Sequence, residues 1–184
     1  TMLQAARHQP PRQPRRGITM LEMLMTLVVL AVLVGLGAPQ MMPLVHGSRL
    51  PATSNEIVAA LHLARAEAVR RNRPVVFCRS ADQASCSTGS EWPGWLLFVD
   101  TDADGALDTG EDVVRSGLVE PGLVLRASSN ISTRNDRLRF APSGRAIADN
   151  ELTMLNATLR VCAATTQPAQ NARDVTLAAG TRVA

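Results

Sequence analysis

The first strong pattern in the chain is an apolar run over residues 18–38, in which Glu22 is the single charged side chain. As a helix rising about 1.5 Å per residue, a run of this length spans roughly 30 Å, the thickness of a bilayer's hydrocarbon core. Arginines precede the run and none lies within it, which is typical of a cytoplasmic N-terminus. The pattern therefore predicts a membrane-spanning helix over residues 18–38, with the C-terminal part of the chain exported.

A second helical pattern, amphipathic this time, covers residues 39–73. Its apolar residues recur at three-, four- and seven-residue spacings, while most charged residues fall elsewhere on the helical wheel. The predicted buried face consists of Leu50, Ile57, Leu61, Ala64 and Ala68. Thr53 or Ser54 is a candidate N-cap. Pro74 is expected to end the helix, because proline disfavours helical geometry in the residue before it.

After Pro74 the pattern changes to short β-type runs separated by turn residues. The predicted strands cover residues 75–78, 95–99, 113–115, 123–125, 138–140, 159–161 and 175–177. An antiparallel sheet packed on the amphipathic helix is the economical arrangement for this order of elements. The predicted fold class is therefore α+β: a long N-terminal helix, membrane-spanning in its first half and amphipathic in its second, packed on a β-rich head over residues 74–184.

Residues 1–17 form a basic, proline-rich leader without acidic residues. Four of the 19 arginines precede Gly17, and the remaining 15 nearly balance the 16 acids, so the net charge of +3 belongs to the leader. The charge therefore indicates targeting rather than a nucleic-acid surface. A cleaved secretory signal is the competing interpretation, with its cut near Ala38. That site lacks a small residue at Leu36 and has Pro39 directly after the cut.

Residues 15–22 read Arg-Arg-Gly-Ile-Thr-Met-Leu-Glu. This stretch resembles the type IV prepilin signature, with Ile18 where that family usually has phenylalanine. The resemblance implies cleavage between Gly17 and Ile18 by a prepilin peptidase, followed by N-methylation of Ile18. It also implies an assembly role for Glu22, which in the family meets the positively charged N-terminus of a neighbouring subunit. The residues alone permit a simpler interpretation, a carboxylate that reaches back to the membrane interface.

Three further stretches, at residues 64–72, 94–100 and 140–145, are similar to the GspH/FimT branch of pseudopilins. Members of that branch are minor subunits of type II secretion pseudopili or of type IV pili. The resemblance implies a single-pass protein of the bacterial inner membrane with a periplasmic head. Its implied partners are other pilins or pseudopilins, the inner-membrane assembly platform and the prepilin peptidase.

Two other classes of function are alternatives to a structural subunit. The first is a binding module at a pilus tip, for DNA uptake or for calcium-dependent adhesion. The second is an enzyme, and this alternative is disfavoured. The chain shows no Ser–His–Asp or Cys–His arrangement, no phosphate-binding glycine loop and no metal triad with an open position.

An acidic loop over residues 100–111 fits the twelve-residue calcium-loop template. Glycine stands at position 6, and carboxylates stand at positions 1, 3, 5, 9 and 12, namely Asp100, Asp102, Asp104, Asp108 and Glu111. Calcium takes six to eight oxygens, which these carboxylates and the carbonyl of Ala106 are able to supply. Calcium (Ca2+) is therefore the candidate cofactor. The alternative is an acidic turn without metal, since the flanking segments are predicted strands rather than EF-hand helices.

The three cysteines would lie in an oxidising compartment after export. A flexible loop of seven residues separates Cys78 from Cys86, which favours a disulfide between these two. Cys162 remains able to replace either partner.

The last third of the chain is a candidate for a local basic face, because residues 121–184 contain eight arginines against four acids. Some FimT-type relatives bind DNA through a C-terminal Gly-Arg-x-Arg turn, whereas this chain has Gly180 and a single nearby arginine, Arg182. Arg145 and Arg182 are the candidate DNA contacts. Few aromatic residues are present for base stacking, so such contacts would be to phosphates and sensitive to salt.

Overall fold

The computed structural model of the protein describes residues 17–37, 42–148, 154–164, 169–180 and 182–184. The chain divides into two compact units, Thr1–Met41 and Met42–Ala184. In the first unit, helix α1 runs over Met20–Gly37. The predicted leader up to residue 16, and the predicted boundary between the two helical segments at residues 38 and 39, lie outside the described residues.

Helix α2, Met42–Arg71, is the amphipathic helix of the second unit. The predicted buried face is confirmed, and Ala60 belongs to it as well. The predicted N-cap is wrong, because the helix continues through Pro51 and includes Thr53 and Ser54. The hydroxyl of Ser54 donates to the carbonyl of Leu50 at 2.9 Å, so this buried polar side chain is satisfied inside the helix rather than at its end.

The end of α2 is a Schellman turn that precedes Pro74. Asn72 adopts a φ of 51°, a left-handed conformation that asparagine tolerates better than most residues. The N–H of Asn72 donates to the carbonyl of Val69, and that of Arg73 donates to the carbonyl of Ala68, both at 3.3 Å. These two bonds satisfy carbonyls that the helix end would otherwise leave open.

All seven predicted strands are present. The strands are β1 (Val75–Arg79), β2 (Gly94–Val99), β3 (Val113–Leu118), β4 (Leu123–Ala127), β5 (Arg137–Phe140), β6 (Ala146–Ile147), β7 (Ala157–Ala163), β8 (Ala172–Ala178) and β9 (Arg182–Val183). A one-turn helix, α3 (Ser129–Ser132), follows β4. The two-residue strands β6 and β9 and the short α3 were not predicted.

The strands of the described residues form two antiparallel sheets. The predicted single sheet is therefore wrong. The first sheet has the order β3-β2-β1-β5-β6, and the second has the order β4-β7-β8-β9. The chain crosses between them three times, and the first crossing, from β3 to β4, is a tight turn in which the N–H of Leu123 donates to the carbonyl of Glu120 at 3.0 Å. Pro121 and Gly122, with φ of 88° at the glycine, suit the two central positions of a type II turn. This turn redirects β4 into the second sheet.

The main core lies between α2 and the two sheets. At its centre Phe77 stacks with Trp92 and Trp95, with ring centroids 5.8 and 5.4 Å apart. Gly117 lies opposite Trp95 across β2 and β3. A Cβ at Gly117 would come within 2.7 Å of the indole ring, so the missing side chain makes room for Trp95.

A smaller apolar cluster, which we call the outer cluster, lies apart from the main core. It consists of Val76, Cys78, Leu96 and Phe98, with Cys86 and Leu107 packed against it. Cys86 comes from the segment after β1, and Leu107 comes from the acidic loop. Strands β1 and β2 are therefore buried on both faces, which is why they read as continuous apolar runs rather than as an alternation.

Candidate functional site

The predicted cleavage site lies at the start of the described chain. Gly17 and Ile18 are exposed and precede α1. A Cβ placed on Gly17 would meet no atom within 4 Å, so packing does not hold this residue. The bond between the two residues is therefore open to a peptidase. Cleavage there, and methylation of Ile18, stay predictions.

Glu22 lies in the first turn of α1, where Thr19 caps the helix. The N–H of Glu22 donates to Thr19 Oγ1 at 3.3 Å, and the N–H of Met23 donates to the carbonyl of Thr19 at 3.2 Å. The Thr-x-x-Glu spacing is that of a capping box, a signal visible in the sequence that our predictions did not use. In this position the carboxylate of Glu22 is favoured by the positive end of the helix dipole.

The side chains of α1 form an exposed apolar surface. From Met23 to Gly35 the helix has no charged residue, and each of its large apolar side chains is more than half exposed. The hydroxyl of Thr26 donates to the carbonyl of Met23 at 2.9 Å and so needs no outside partner. A contiguous apolar surface of this kind normally marks a site of contact with protein or lipid.

Within the described residues, no helix is both long enough and apolar enough to cross a membrane.

The acidic loop connects β2 to β3, and the structure brings its first three carboxylates together. One oxygen each from Asp100, Asp102 and Asp104 lie within 4.8 Å of one another. Asp100 is fully buried, and its Oδ2 accepts a hydrogen bond from the N–H of Gly105 at 3.1 Å. Its Oδ1 is buried without a hydrogen-bond partner.

The other two carboxylates of the template lie further along the acidic loop. Glu111 folds back, and its Oε1 accepts hydrogen bonds from the N–H of Thr101 at 2.6 Å and from its hydroxyl at 3.0 Å. Its Oε2 accepts a bond from the N–H of Asp108 at 3.1 Å. The pKa of Asp108 is raised above its ordinary value, first by the negative charge of Asp104 and then by desolvation and the charge of Asp102. The five carboxylates thus share one local electrostatic environment.

Arg139, on β5, ties the acidic loop to the sheet. Its Nη2 donates to the carbonyl of Ala103 at 2.8 Å, and its Nε lies 3.7 Å from Asp100 Oδ2. Burial raises the pKa of Asp100, and the positive charge of Arg139 acts in the opposite direction. Sequence spacing did not identify Arg139, because it lies 28 residues beyond the end of the acidic loop.

A disulfide joins Cys78 to Cys86, the pairing that the sequence favoured, with a Cα–Cα distance of 5.7 Å. Cys78 is buried on β1, so the bond fastens the following segment onto the outer cluster. Cys162, on β7, is half-buried and forms no disulfide.

Replacing both Cys78 and Cys86 with alanine should lower the free energy of unfolding by about 2 to 3 kcal/mol, because the unfolded chain is no longer closed into a loop. Urea unfolding of the full chain in detergent, followed by tryptophan fluorescence, measures the change. Cys162→Ala is the matched control and should shift the free energy by less than about 1 kcal/mol, since it removes one half-buried thiol. Equal midpoints for the double variant and the wild type would contradict a stabilising disulfide.

Several arginines of the last third of the chain are paired with acids. Arg126 Nη2 lies 2.5 Å from Glu91 Oε1. Arg160 binds both carboxylate oxygens of Asp174, at 2.6 and 2.7 Å, and this contact lowers the pKa of Asp174. These pairs reduce the positive charge available to an anionic partner.

The two candidate DNA contacts, Arg145 and Arg182, are both exposed. The chain segments that carry them meet, because the N–H of Ala146 donates to the carbonyl of Gly180 at 2.7 Å. The structure thus brings the two segments together, and DNA binding there stays a prediction.

Two family models match the chain. The model described as "Type II transport protein GspH" matches residues 53–181, and the model described as "Prokaryotic N-terminal methylation motif" matches residues 12–38. The pilin-like protein PilA1 of Thermus thermophilus is 37% identical over 101 residues, which cover 53% of this chain and 56% of PilA1. The match therefore spans little more than half the length of that relative.

Two solved structures share the fold. The type IV minor pilin FimU of Pseudomonas aeruginosa matches with a TM-score of 0.52 and 19% identity, over 74% of this chain and 87% of FimU. The minor pseudopilin EpsH of the Vibrio cholerae type 2 secretion system matches with a TM-score of 0.50 and 15% identity, over 74% of this chain and 96% of EpsH. Both likenesses confirm the predicted α+β fold, a helix followed by antiparallel sheets.

Proposed function

Because the chain belongs to the family of the type II transport protein GspH, we propose that it is a minor subunit of a type II secretion pseudopilus or of a type IV pilus. The observation that carries this proposal is the N-terminal methylation motif at residues 12–38, which covers a helix with an exposed apolar surface. The family consists of structural components, so the work of this protein is assembly rather than catalysis.

Processing is the first step of the proposed function. A prepilin peptidase cuts between Gly17 and Ile18, and the new N-terminus is methylated. Before assembly, residues 18–38 lie in the inner membrane with the head in the periplasm. The exposed leucine, valine and methionine side chains of α1 support this arrangement, because lipid and neighbouring helices both keep such side chains from water.

Assembly through α1 is the second step. After cleavage, Ile18 carries a positively charged N-terminus, and Glu22 lies four residues further along. An unpaired carboxylate inside hydrocarbon costs a few kcal/mol, and pairing with the N-terminus of a neighbouring subunit offsets that cost. The Thr19 cap supports this role, because it fixes the start of the helix and hence the position of Glu22 relative to the N-terminus.

Glu22→Ala tests the assembly role. The variant should still insert and be cleaved, because the apolar run and the bond at Gly17 are unchanged. Incorporation into filaments should fall by about tenfold or more, since a pairing worth at least about 1.4 kcal/mol per subunit is lost. The measurement is the fraction of processed subunit that co-purifies with sheared pili or pseudopili.

Glu56→Ala is the matched control, because it removes a carboxylate from α2 instead of α1. Glu56 makes one long ion-pair contact there, 3.8 Å from the exposed Arg115. The control variant should assemble normally. If Glu22→Ala is incorporated as well as the wild type, the assembly role is contradicted. The simpler interpretation, in which the Glu22 carboxylate reaches back to the membrane interface, would then be favoured.

A further inference from the structure

The acidic loop has a feature that a plain acidic turn does not need. Asp100 is 0% exposed, yet its Oδ1 has no hydrogen-bond partner. Buried polar atoms in native proteins nearly always have a partner. An acidic turn without a ligand could direct this side chain into water, as the exposed Asp102 and Asp104 show. A buried carboxylate oxygen left open beside two further carboxylates is what a cation site requires.

The distances agree with a shared ion. Calcium binds oxygen at about 2.4 Å, so two oxygens on the same ion are at most about 4.8 Å apart. One oxygen each from Asp100, Asp102 and Asp104 lie within 4.8 Å of one another. We propose that these three residues, together with Asp108, Glu111 and the carbonyl of Ala106, form a calcium site. This inference concerns the head alone and does not depend on the proposed assembly role.

The remaining ligands of the proposed site come from the second half of the acidic loop. The carboxylate of Glu111 accepts hydrogen bonds from the N–H of Thr101, near the start of the acidic loop, and from the N–H of Asp108, near its end. Glu111 therefore links the two ends of the acidic loop. Five carboxylates and one carbonyl supply at least six oxygens, the number that calcium takes.

The charge and geometry of the acidic loop favour calcium over magnesium. Arg139 lies 3.7 Å from Asp100 Oδ2, Arg73 donates to the carbonyl of Thr101 at 3.1 Å, and Arg137 comes close to Gly105. Three positive charges against five carboxylates leave a net negative charge for a divalent ion. Magnesium demands near-ideal octahedral geometry at about 2.0 to 2.1 Å, whereas calcium accepts a larger and more flexible set of oxygens. A twelve-residue loop with several ligand types suits calcium.

Calcium at this position would stabilise the outer cluster. Leu107 lies between Ala106 and Asp108, two of the proposed ligands, and it packs against the outer cluster. Fixing the acidic loop with an ion therefore also fixes the side chain that covers one part of that cluster. The expected result is a head that is more stable with calcium than without it.

The test uses the full chain in detergent, with tryptophan fluorescence reporting on the buried Trp92 and Trp95. The thermal midpoint is measured in chelator, in millimolar calcium and in millimolar magnesium. Calcium should raise the midpoint by about 5 °C or more relative to chelator. Titration calorimetry should show one calcium ion per chain.

Asp102→Asn with Asp104→Asn is the informative variant, because both residues are exposed and asparagine keeps an acceptor oxygen for the N–H of Ala106. It should lose both the shift and the binding heat. Glu91→Gln with Glu120→Gln is the matched control: it removes two exposed carboxylates at the opposite end of the β2–β3 hairpin and should keep both signals. Equal midpoints in calcium and chelator without binding heat, or an equal shift with magnesium, would overturn the calcium site.

Discussion

Gly17→Glu should leave the leader attached, and no mature chain should be detectable. The reason is steric and electrostatic, because glycine, the smallest residue, precedes the proposed cut and the variant places a long, charged side chain there. Assembly should fail as well. Without the cut no N-terminus forms at Ile18, so the proposed pairing between Glu22 and the N-terminus of a neighbouring subunit is lost.

Intact-mass spectrometry of the chain co-expressed with a prepilin peptidase measures this result. The wild type should begin at Ile18 and carry a methyl group on its N-terminus. Gly35→Ala is the matched control, because it changes a glycine of α1 whose added Cβ meets no atom within 4 Å. An uncut wild type, or a cut near Ala38, would refute the processing step.

Phe77→Ala should lower the free energy of unfolding by about 3 to 5 kcal/mol. Phe77 is fully buried and stacks with the rings of both Trp92 and Trp95, so truncation leaves a cavity and removes two stacking contacts. A loss of this size is a large fraction of the stability of a typical domain. Urea unfolding of the full chain in detergent gives the midpoint and the slope.

Val69→Ala is the control for the core variant, because Val69 is an α2 residue that is 55% exposed. It should shift the free energy of unfolding by less than about 1 kcal/mol. Phe77→Leu should fall between the two, since it keeps the site apolar and most of its volume filled. A small effect of Phe77→Ala would mean that the aromatic stack does not organise the main core.

The helices and the longer strands were predictable because their signals are local. A mainly apolar run of 21 residues, a helical periodicity and seven short apolar segments each follow from neighbouring positions in the chain. Strands β6 and β9 have two residues each, too few to show a periodicity, and they exist because β5 and β8 offer partners. The division into two sheets was not predictable, because the chain crosses between the sheets three times, after β3, after β4 and after β6.

For the acidic loop, the sequence predicted which carboxylates lie together, but it did not predict how deeply they are buried or which other residues they contact. Spacing predicted Asp100, Asp102 and Asp104 as candidate ligands of one ion, and the structure places one oxygen of each within 4.8 Å of the others. The sequence did not predict the burial of Asp100. Asp100 is buried because it directly follows β2, a strand that is covered on both faces. The contact with Arg139 was not predicted either, since it joins residues 39 positions apart.

The double covering of β2 has a consequence for aggregation. Its six residues, Gly-Trp-Leu-Leu-Phe-Val, carry no charge and combine high hydrophobicity with high β-propensity, the composition of segments that form cross-β zippers. In the folded head β3 and β1 occupy both of its edges, and the main core and the outer cluster cover its faces. Acidic residues flank the strand, Glu91 before it and Asp100 after it, where charged residues limit self-association of an exposed strand. A head that loses the disulfide or the order of the acidic loop therefore uncovers one apolar face of this segment, the face that bears Leu96 and Phe98.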